Sequence, residues 1–204
     1  MKKTLCFLSG LLLAASVLLC AVLLPALSTS RFEKALLSTV DQQALGMSES
    51  DLSAFAEETM RYLKHQKMNW QPEVPFEVPE SFRTHMAEVK GWVTAAPWVI
   101  GCGILIGLCF LGIGKWQRRP ALFGVCALLV LIVCVLVWAA VDFHSFWMVL
   151  HRLFIPNGIF AYNEPVMQLF PLSLFFRYVV PVAVSALAHL AVLVTAGWLF
   201  LRKM

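Results

Sequence analysis

"GWVTAAPWVIGCGILIGLCFLGIGKWQRRPALFGVCALLVLIVCVLVWAAV" occupies residues 91–141. Two apolar runs, 92–114 and 121–141, flank a turn at 115–120 that carries Lys115, Arg118 and Arg119 and no acid. Each run is close to the roughly 20 residues a helix needs to cross the hydrocarbon of a bilayer. Lipid offers the peptide group no hydrogen-bond partner, so each run must be helical throughout. Pro120 suits the first turn of the second helix, where its missing N–H costs nothing. The stretch reads as a helical hairpin across a membrane with a basic tip.

Two further runs of the same kind lie outward of this hairpin, at 5–27 and 178–201. The whole chain of 204 residues is 60% hydrophobic and 14% charged, with a mean hydropathy of +0.77. A soluble domain carries about 25% charged residues, so water is not the main solvent. Lys2 and Lys3 precede the first run, and Arg202 and Lys203 follow the fourth. Every Asp and Glu falls in the two remaining segments, 28–91 and 142–177. The positive-inside rule then puts both termini and the 115–120 turn in the cytoplasm and those two segments outside the cell. A cleaved signal peptide competes for the first run, since "LLPALST" offers a small-x-small site at Ala26 and Ser28. Its apolar core from Leu5 to Leu24 exceeds the usual ~7–15 residues, and a retained anchor is expected. All six cysteines lie inside the spans, where a disulfide framework would not put them; buried, inert thiols are expected.

The 28–91 segment has soluble character. "SESDLSAFAEETMRYLKHQ" opens with Ser48 and Asp51 in capping-box-like spacing, and Leu52, Phe55, Ala56, Thr59, Tyr62 and Leu63 recur at helical intervals. An earlier helix is expected around 31–45. "NWQPEVPFEVPE" is extended, because its prolines exclude helix. In "SFRTHMAEVKGWV", Phe82, Met86, Val89 and Val93 form one apolar stripe, while His85, Glu88 and Trp92 form the next. A carboxylate at i+3 from a histidine can fix its tautomer and raise its basicity. That helix should run straight into the second span, with His85 just above the bilayer.

The 142–177 segment is too aromatic for a loop in water and too interrupted for a span. Asp142 can cap a helix with Phe146, Val149 and Leu153 along one side and His144, His151 and Trp147 on the other, ending near Ile155. "IFAYNEP" and "QLFPLSLFF" follow as short apolar pieces, which fit an interface or a protein-lined pocket. The expected fold is therefore an all-α integral membrane protein. It has four transmembrane helices, a small extracellular helical domain and an interfacial or re-entrant segment that admits lipid.

Five histidines carry the candidate chemistry. His65 ends a soluble helix and is expected to face solvent; His189, alone in the fourth span, is expected at a helix–helix contact. His85, His144 and His151 converge near one outer surface. With Glu88 they could hold zinc, but there is no HExxH, no Cys/His cluster and no i, i+4 pair, so no metal is expected. GxSxG, phosphate-binding and dinucleotide-binding motifs are absent, and the outer charges are balanced, which gives no support to a nucleic-acid partner.

The set "YLKHQ", "FRTHMAEVKG" and "FHSFWMVLHRLFIPN…LFPLSLFF" on a four-span frame resembles the lipoprotein intramolecular transacylase (Lit) family of Gram-positive bacteria. The family pattern has Asp where this chain has Glu88, and an acid after the proline where it has Leu172; His144 matches no family position. The resemblance implies transfer of the sn-2 acyl chain of a lipoprotein's diacylglyceryl group to the α-amino nitrogen of its N-terminal cysteine, giving the lyso form. It also implies importance for His85 and His151. The expected roles are His85 as base, oriented by Glu88, and His151 as acid or second proton carrier, with the two roles exchangeable. Arg83, Arg152, Asn157 and Tyr162, and more weakly Asn163, are candidate donors to the oxyanion, while Trp147 and His144 line the shelf. No cofactor is needed, and the expected partners are the diacylated lipoprotein and membrane lipid, with no obligatory protein partner. The alternative from another class is a non-catalytic membrane sensor or accessory subunit that binds a partner through its outer domain.

Overall fold

The computed structural model describes residues 1–155 and 164–202, and among them every regular element is a helix. In order these are α1 (Lys2–Ala26), α2 (Thr29–Thr39), α3 (Gln42–Leu45), α4 (Glu49–Leu63), α5 (Glu80–Ile113), α6 (Arg118–Val141), α7 (Phe143–Phe154), α8 (Pro165–Leu169) and α9 (Leu172–Arg202). Parts of α1, α5, α6 and α9 are long and apolar enough to cross a membrane, as the sequence leads one to expect. The chain divides into two compact units.

The first unit comprises Met1–Leu23, Ala95–Ala140 and Val182–Met204. Helix association in lipid relies on close packing of small residues instead of a hydrophobic drive, and that packing is visible here. A Cβ on Gly10 would lie 1.9 Å from the Ala121 carbonyl oxygen, and one on Gly124 would lie 2.1 Å from that of Phe7. α1 and α6 therefore touch backbone to backbone. Further along, Ala14, Leu128 and Leu190 close a small core against Leu18 and Ile132, so α1 and α6 run parallel. Against α5, Gly103 meets Ser16 and Gly107 meets Leu13, an antiparallel register. Ser9 Oγ donates to the Gly107 carbonyl at 2.7 Å, which satisfies a hydroxyl that lipid could not.

Two expectations fail in this unit. Only Cys6 is a buried thiol; Cys20, Cys102, Cys109 and Cys134 are exposed and Cys126 is partly so. A thiol is nearly as apolar as a short alkyl group, so the outer surface of a bundle in lipid accepts it. His189 is likewise exposed on α9 and not packed at a helix contact. Its Nδ1–H donates to the Ser185 carbonyl at 2.7 Å, which supplies the partner that a neighbouring helix was expected to provide.

The second unit comprises Leu24–Thr94 and Val141–Pro181. Its core is built on Leu36, Leu52, Phe55, Val166, Leu169 and Leu174. α4 starts with a complete capping box: Ser48 Oγ accepts from Asp51 N at 3.2 Å, and Asp51 Oδ2 accepts from Ser48 N at 2.8 Å. The helix expected over 31–45 is two helices. Asp41 Oδ1 accepts from Gln43 N and Ala44 N, both at 3.1 Å, and this local cap ends one helix and begins another. The proline-rich stretch after α4 is extended, anchored where Trp70 Nε1–H donates to Thr59 Oγ1 at 3.1 Å. "LSLFF" (172–176), expected as a broken piece, is the first turn and a half of α9; Pro171 stands just before the helix, where proline does no harm.

Candidate active site

α5 positions the first histidine. At ~1.5 Å per residue its 34 residues span about 51 Å, more than the ~30 Å of hydrocarbon. Its first turns carry Glu80, Arg83, Glu88 and Lys90, the only Asp, Glu, Lys or Arg side chains of the helix. Phe82 and Met86 are buried in the core of the second unit, as their stripe requires. That anchorage turns His85, itself buried, toward α7.

α7 positions the second. Asp142 Oδ1 accepts from Ser145 N at 3.0 Å and caps the helix, and Ile155 N–H closes its other end on the His151 carbonyl at 2.7 Å. Phe146 and His151 are its buried residues, whereas Val149 and Leu153 are exposed. His144 lies on the same line as His151 but near the opposite end, and it is exposed.

The rings of His85 and His151 stack 5.9 Å apart at an interplanar angle of 23°. Aromatic rings close a circuit around them. Trp147 lies 4.5 Å from His151 and stacks on Phe175 at 4.3 Å, Phe175 faces Phe170 at 6.2 Å, Phe170 meets Phe82 at 5.4 Å, and Phe82 lies edge-on to His85 at 5.5 Å. Two imidazoles thus complete a ring of apolar faces. Trp92 ties the two helices together: its Nε1–H donates to the Phe154 carbonyl at 2.8 Å, and the two rings meet edge to face at 5.5 Å.

The electrostatics follow from this enclosure. His151 Nδ1 lies 3.0 Å from the Trp147 carbonyl oxygen. A carbonyl can only accept, so Nδ1 carries the proton and the lone pair of the neutral ring is on Nε2. Burial lowers the pKa of His151, partly offset by this bond. The pKa of His85 is lowered to about 4, first by burial and then by the neighbouring His151, with the charge of Glu88 opposing the shift. Glu88 is half-buried one turn along α5. Both rings are accordingly neutral at pH 7 and able to accept a proton.

The other expected residues are distributed unevenly. Trp147 is in the circuit. Arg83 is on the solvent face, where Nη1 approaches Glu80 Oε2 at 3.9 Å, away from the histidine pair. Arg152 follows His151 and is exposed. Asn157, Tyr162 and Asn163 fall outside the described residues. Sequence reasoning missed Phe82, Phe170 and Phe175 as walls of the site and Trp92 as the tie. The available signals were Phe82, three residues before His85, and Trp92, on the same stripe as His85. Among the described residues no group of three His, Cys, Asp or Glu side chains is placed to hold a metal.

The model of the family described as "lipoprotein intramolecular transacylase Lit" matches residues 7–176. No curated protein matches the chain. Among solved structures, the membrane-integral lipoprotein intramolecular transacylase Lit of Bacillus cereus is similar in fold, with a TM-score of 0.79 and 15% identity over 100% of this chain and 96% of that one. Two structures of the same protein, with a histidine replaced by arginine or by alanine, give a TM-score of 0.75 each at 15% identity, and cover 93% and 94% of those chains. With an α-helical membrane fold and a family match over most of its length, this chain belongs to the Lit family of lipoprotein intramolecular transacylases.

Proposed function

We propose that the chain moves the sn-2 acyl group of a diacylglyceryl lipoprotein onto the α-amino nitrogen of the lipoprotein's N-terminal cysteine, with His85 and His151 carrying the proton. The amine attacks the ester carbonyl, a C–N bond forms and the bond to the glyceryl oxygen breaks. One proton must leave the nitrogen and one must arrive on that oxygen. His85 accepts the first, and the charge of Glu88 stabilises the imidazolium as it forms. The proton reaches the glyceryl oxygen through Nε2 of His151, whose Nδ1–H stays on the Trp147 carbonyl. An imidazolium made more acidic by burial is a strong donor to so poor a leaving group.

Nucleophile and ester belong to one substrate molecule, so alignment alone supplies much of the acceleration, with effective molarities of ~10⁵ M or more in well-oriented cases. Ester-to-amide exchange is downhill, and the step balances without nucleotide or metal. The aromatic circuit would hold the acyl chains and exclude water that would otherwise hydrolyse the ester. The distribution of Lys and Arg supports an orientation with both termini cytoplasmic and the histidine-bearing unit at the outer face of the membrane.

The stacking of two buried imidazoles from distant parts of the sequence is the observation that carries this reading. The test uses a lipopeptide isotopically labelled in its sn-2 chain and purified protein in lipid nanodiscs. Mass spectrometry should find the label on the α-amino nitrogen of the same peptide. His85→Ala and His151→Ala should each lower the rate by about 10²–10⁴, the usual worth of general acid–base groups. Unchanged conversion by folded variants would refute the roles given to the histidines.

A further inference from the structure

We propose that Lys90 is a positioning residue for His85: it fixes the roll of α5 against the turn that follows α4, and so aims the imidazole at His151. The inference rests on the proton-carrying role proposed for His85 and names what holds that ring in place. Phe82 and Met86 anchor α5 by apolar contact, which is non-directional and lets a helix roll about its axis. A roll of ~10° moves a ring ~6 Å from the axis by about 1 Å. A misplacement of ~1 Å can cost ~10²-fold in rate, so directional contacts must set the angle.

Lys90 supplies them. Its Nζ donates to the Lys67 carbonyl at 2.9 Å and, more weakly, to the Met68 carbonyl at 3.5 Å, and lies 4.1 Å from the centre of the Tyr62 ring. Two carbonyls and an aromatic face all attract a cation, and among the described residues no carboxylate is within ion-pair distance of this ammonium. The receiving turn is itself fixed, because Lys67 Nζ meets Glu58 Oε2 at 2.7 Å and Trp70 is pinned to Thr59. One turn further along α5, Thr94 gives its only hydroxyl proton to the Lys90 carbonyl at 2.7 Å, so its oxygen accepts from His65 Nε2–H at 2.7 Å. His65 holds a left-handed backbone, φ 62°, that a residue with a Cβ seldom adopts. Lys90 lies about 140° around the helix from His85 at ~100° per residue, whereas Trp92 shares the His85 line and reaches α7. α5 is thus tied on two sides. The turn also backs the wall of the site, because Trp70 lies 5.5 Å from Phe82 and Phe82 lies edge-on to His85.

The test is Lys90→Met, which keeps the apolar stem and removes the cation, with Lys90→Arg as the conservative variant. The groups whose charge acts on His85 are His151 of α7 and Glu88 of its own helix. When α5 rolls, Glu88 moves with the ring while burial and His151 are left behind. NMR of ring-labelled histidine in the purified, folded protein should therefore find the His85 pKa risen from about 4 toward the ordinary ~6.5. kcat for acyl transfer should fall roughly tenfold with KM nearly unchanged, and Lys90→Arg should restore both readings. Thr94→Val cuts the neighbouring tie at an exposed position and should shift the titration the same way by less; it replaces Lys90→Met if that variant does not fold. A lowered Tm with His85 titrating as in wild type overturns the proposal, since Lys90 would then support the fold alone. A moved titration at the wild-type rate keeps Lys90 as the residue that aims His85 and refutes the role of His85 in proton transfer.

Discussion

His85 and His151 are each surrounded by side chains that disfavour a charge, and this has consequences that can be measured. A histidine whose pKa is depressed by folding is protonated first in the unfolded chain. The stability it contributes is therefore complete above the unfolded value of about 6.5. It is lost as pH falls from there to the folded value of about 4 for His85. Denaturation midpoints of the purified protein should fall steadily across that window, and His85→Gln should flatten the dependence. The acid limb of the pH–rate profile should lie below 6.5 for the same reason. His151 also depresses its neighbour directly, so His151→Gln should raise the pKa of His85 as read by NMR of ring-labelled histidine. An unchanged titration would show that the two rings do not sense each other.

Helices turn these residues into a site, and here the sequence could be read only in part. The Phe82/Met86 stripe was legible because both residues are apolar and helically spaced, and it placed His85 correctly on the adjacent line. The pairing of His144 with His151 was equally regular, yet burial separates them. What covers His151 is Trp147 from its own helix and His85 from another, and spacing within α7 cannot report a neighbour far along the chain. The same limit hid Phe170 and Phe175. Nor does either expected side of α7 form one buried face, since Phe146 and His151 are buried while Val149, Leu153 and His144 are exposed. Trp92 lies seven residues after His85 on the same line, and its indole holds the end of α7. Trp92→Phe keeps the ring and removes the donor. The expected result is a several-fold fall in kcat with KM and Tm nearly unchanged, and a larger fall in both kcat and Tm for Trp92→Ala. If kcat in Trp92→Phe matches wild type, the tie does not position the histidines.

Membrane packing is also decided at this scale. α1 and α6 approach so closely at Gly10 and Gly124 that no side chain fits between them. Gly124→Leu would have to push backbone from backbone, a change that in packed interiors costs about 1–3 kcal/mol or more. It should lower Tm and expression sharply. Gly112→Leu, where a Cβ meets nothing within 4 Å, is the matched control and should be silent.

At the scale of the whole molecule, composition and charge asymmetry made the membrane character plain, because spans announce themselves by length and apolarity. Orientation rests on Lys and Arg alone and is open to direct test. In a cysteine-free background, a cysteine at Met68, which is 90% exposed, should react with a membrane-impermeant maleimide in intact cells. A cysteine at Trp116 should react only after the membrane is opened. The reverse pattern would place the histidines on the cytoplasmic side, where they could not meet a lipoprotein already exported. The central claim, that two imidazoles act as one proton-carrying unit, is tested most directly by a double-mutant cycle on the rate of acyl transfer. His85→Gln, His151→Gln and the double variant are assayed on the same labelled lipopeptide. Groups that serve one step together are strongly non-additive, so the double variant should be no slower than the slower single one. Losses that multiply, or a single variant that keeps the wild-type rate, would contradict it.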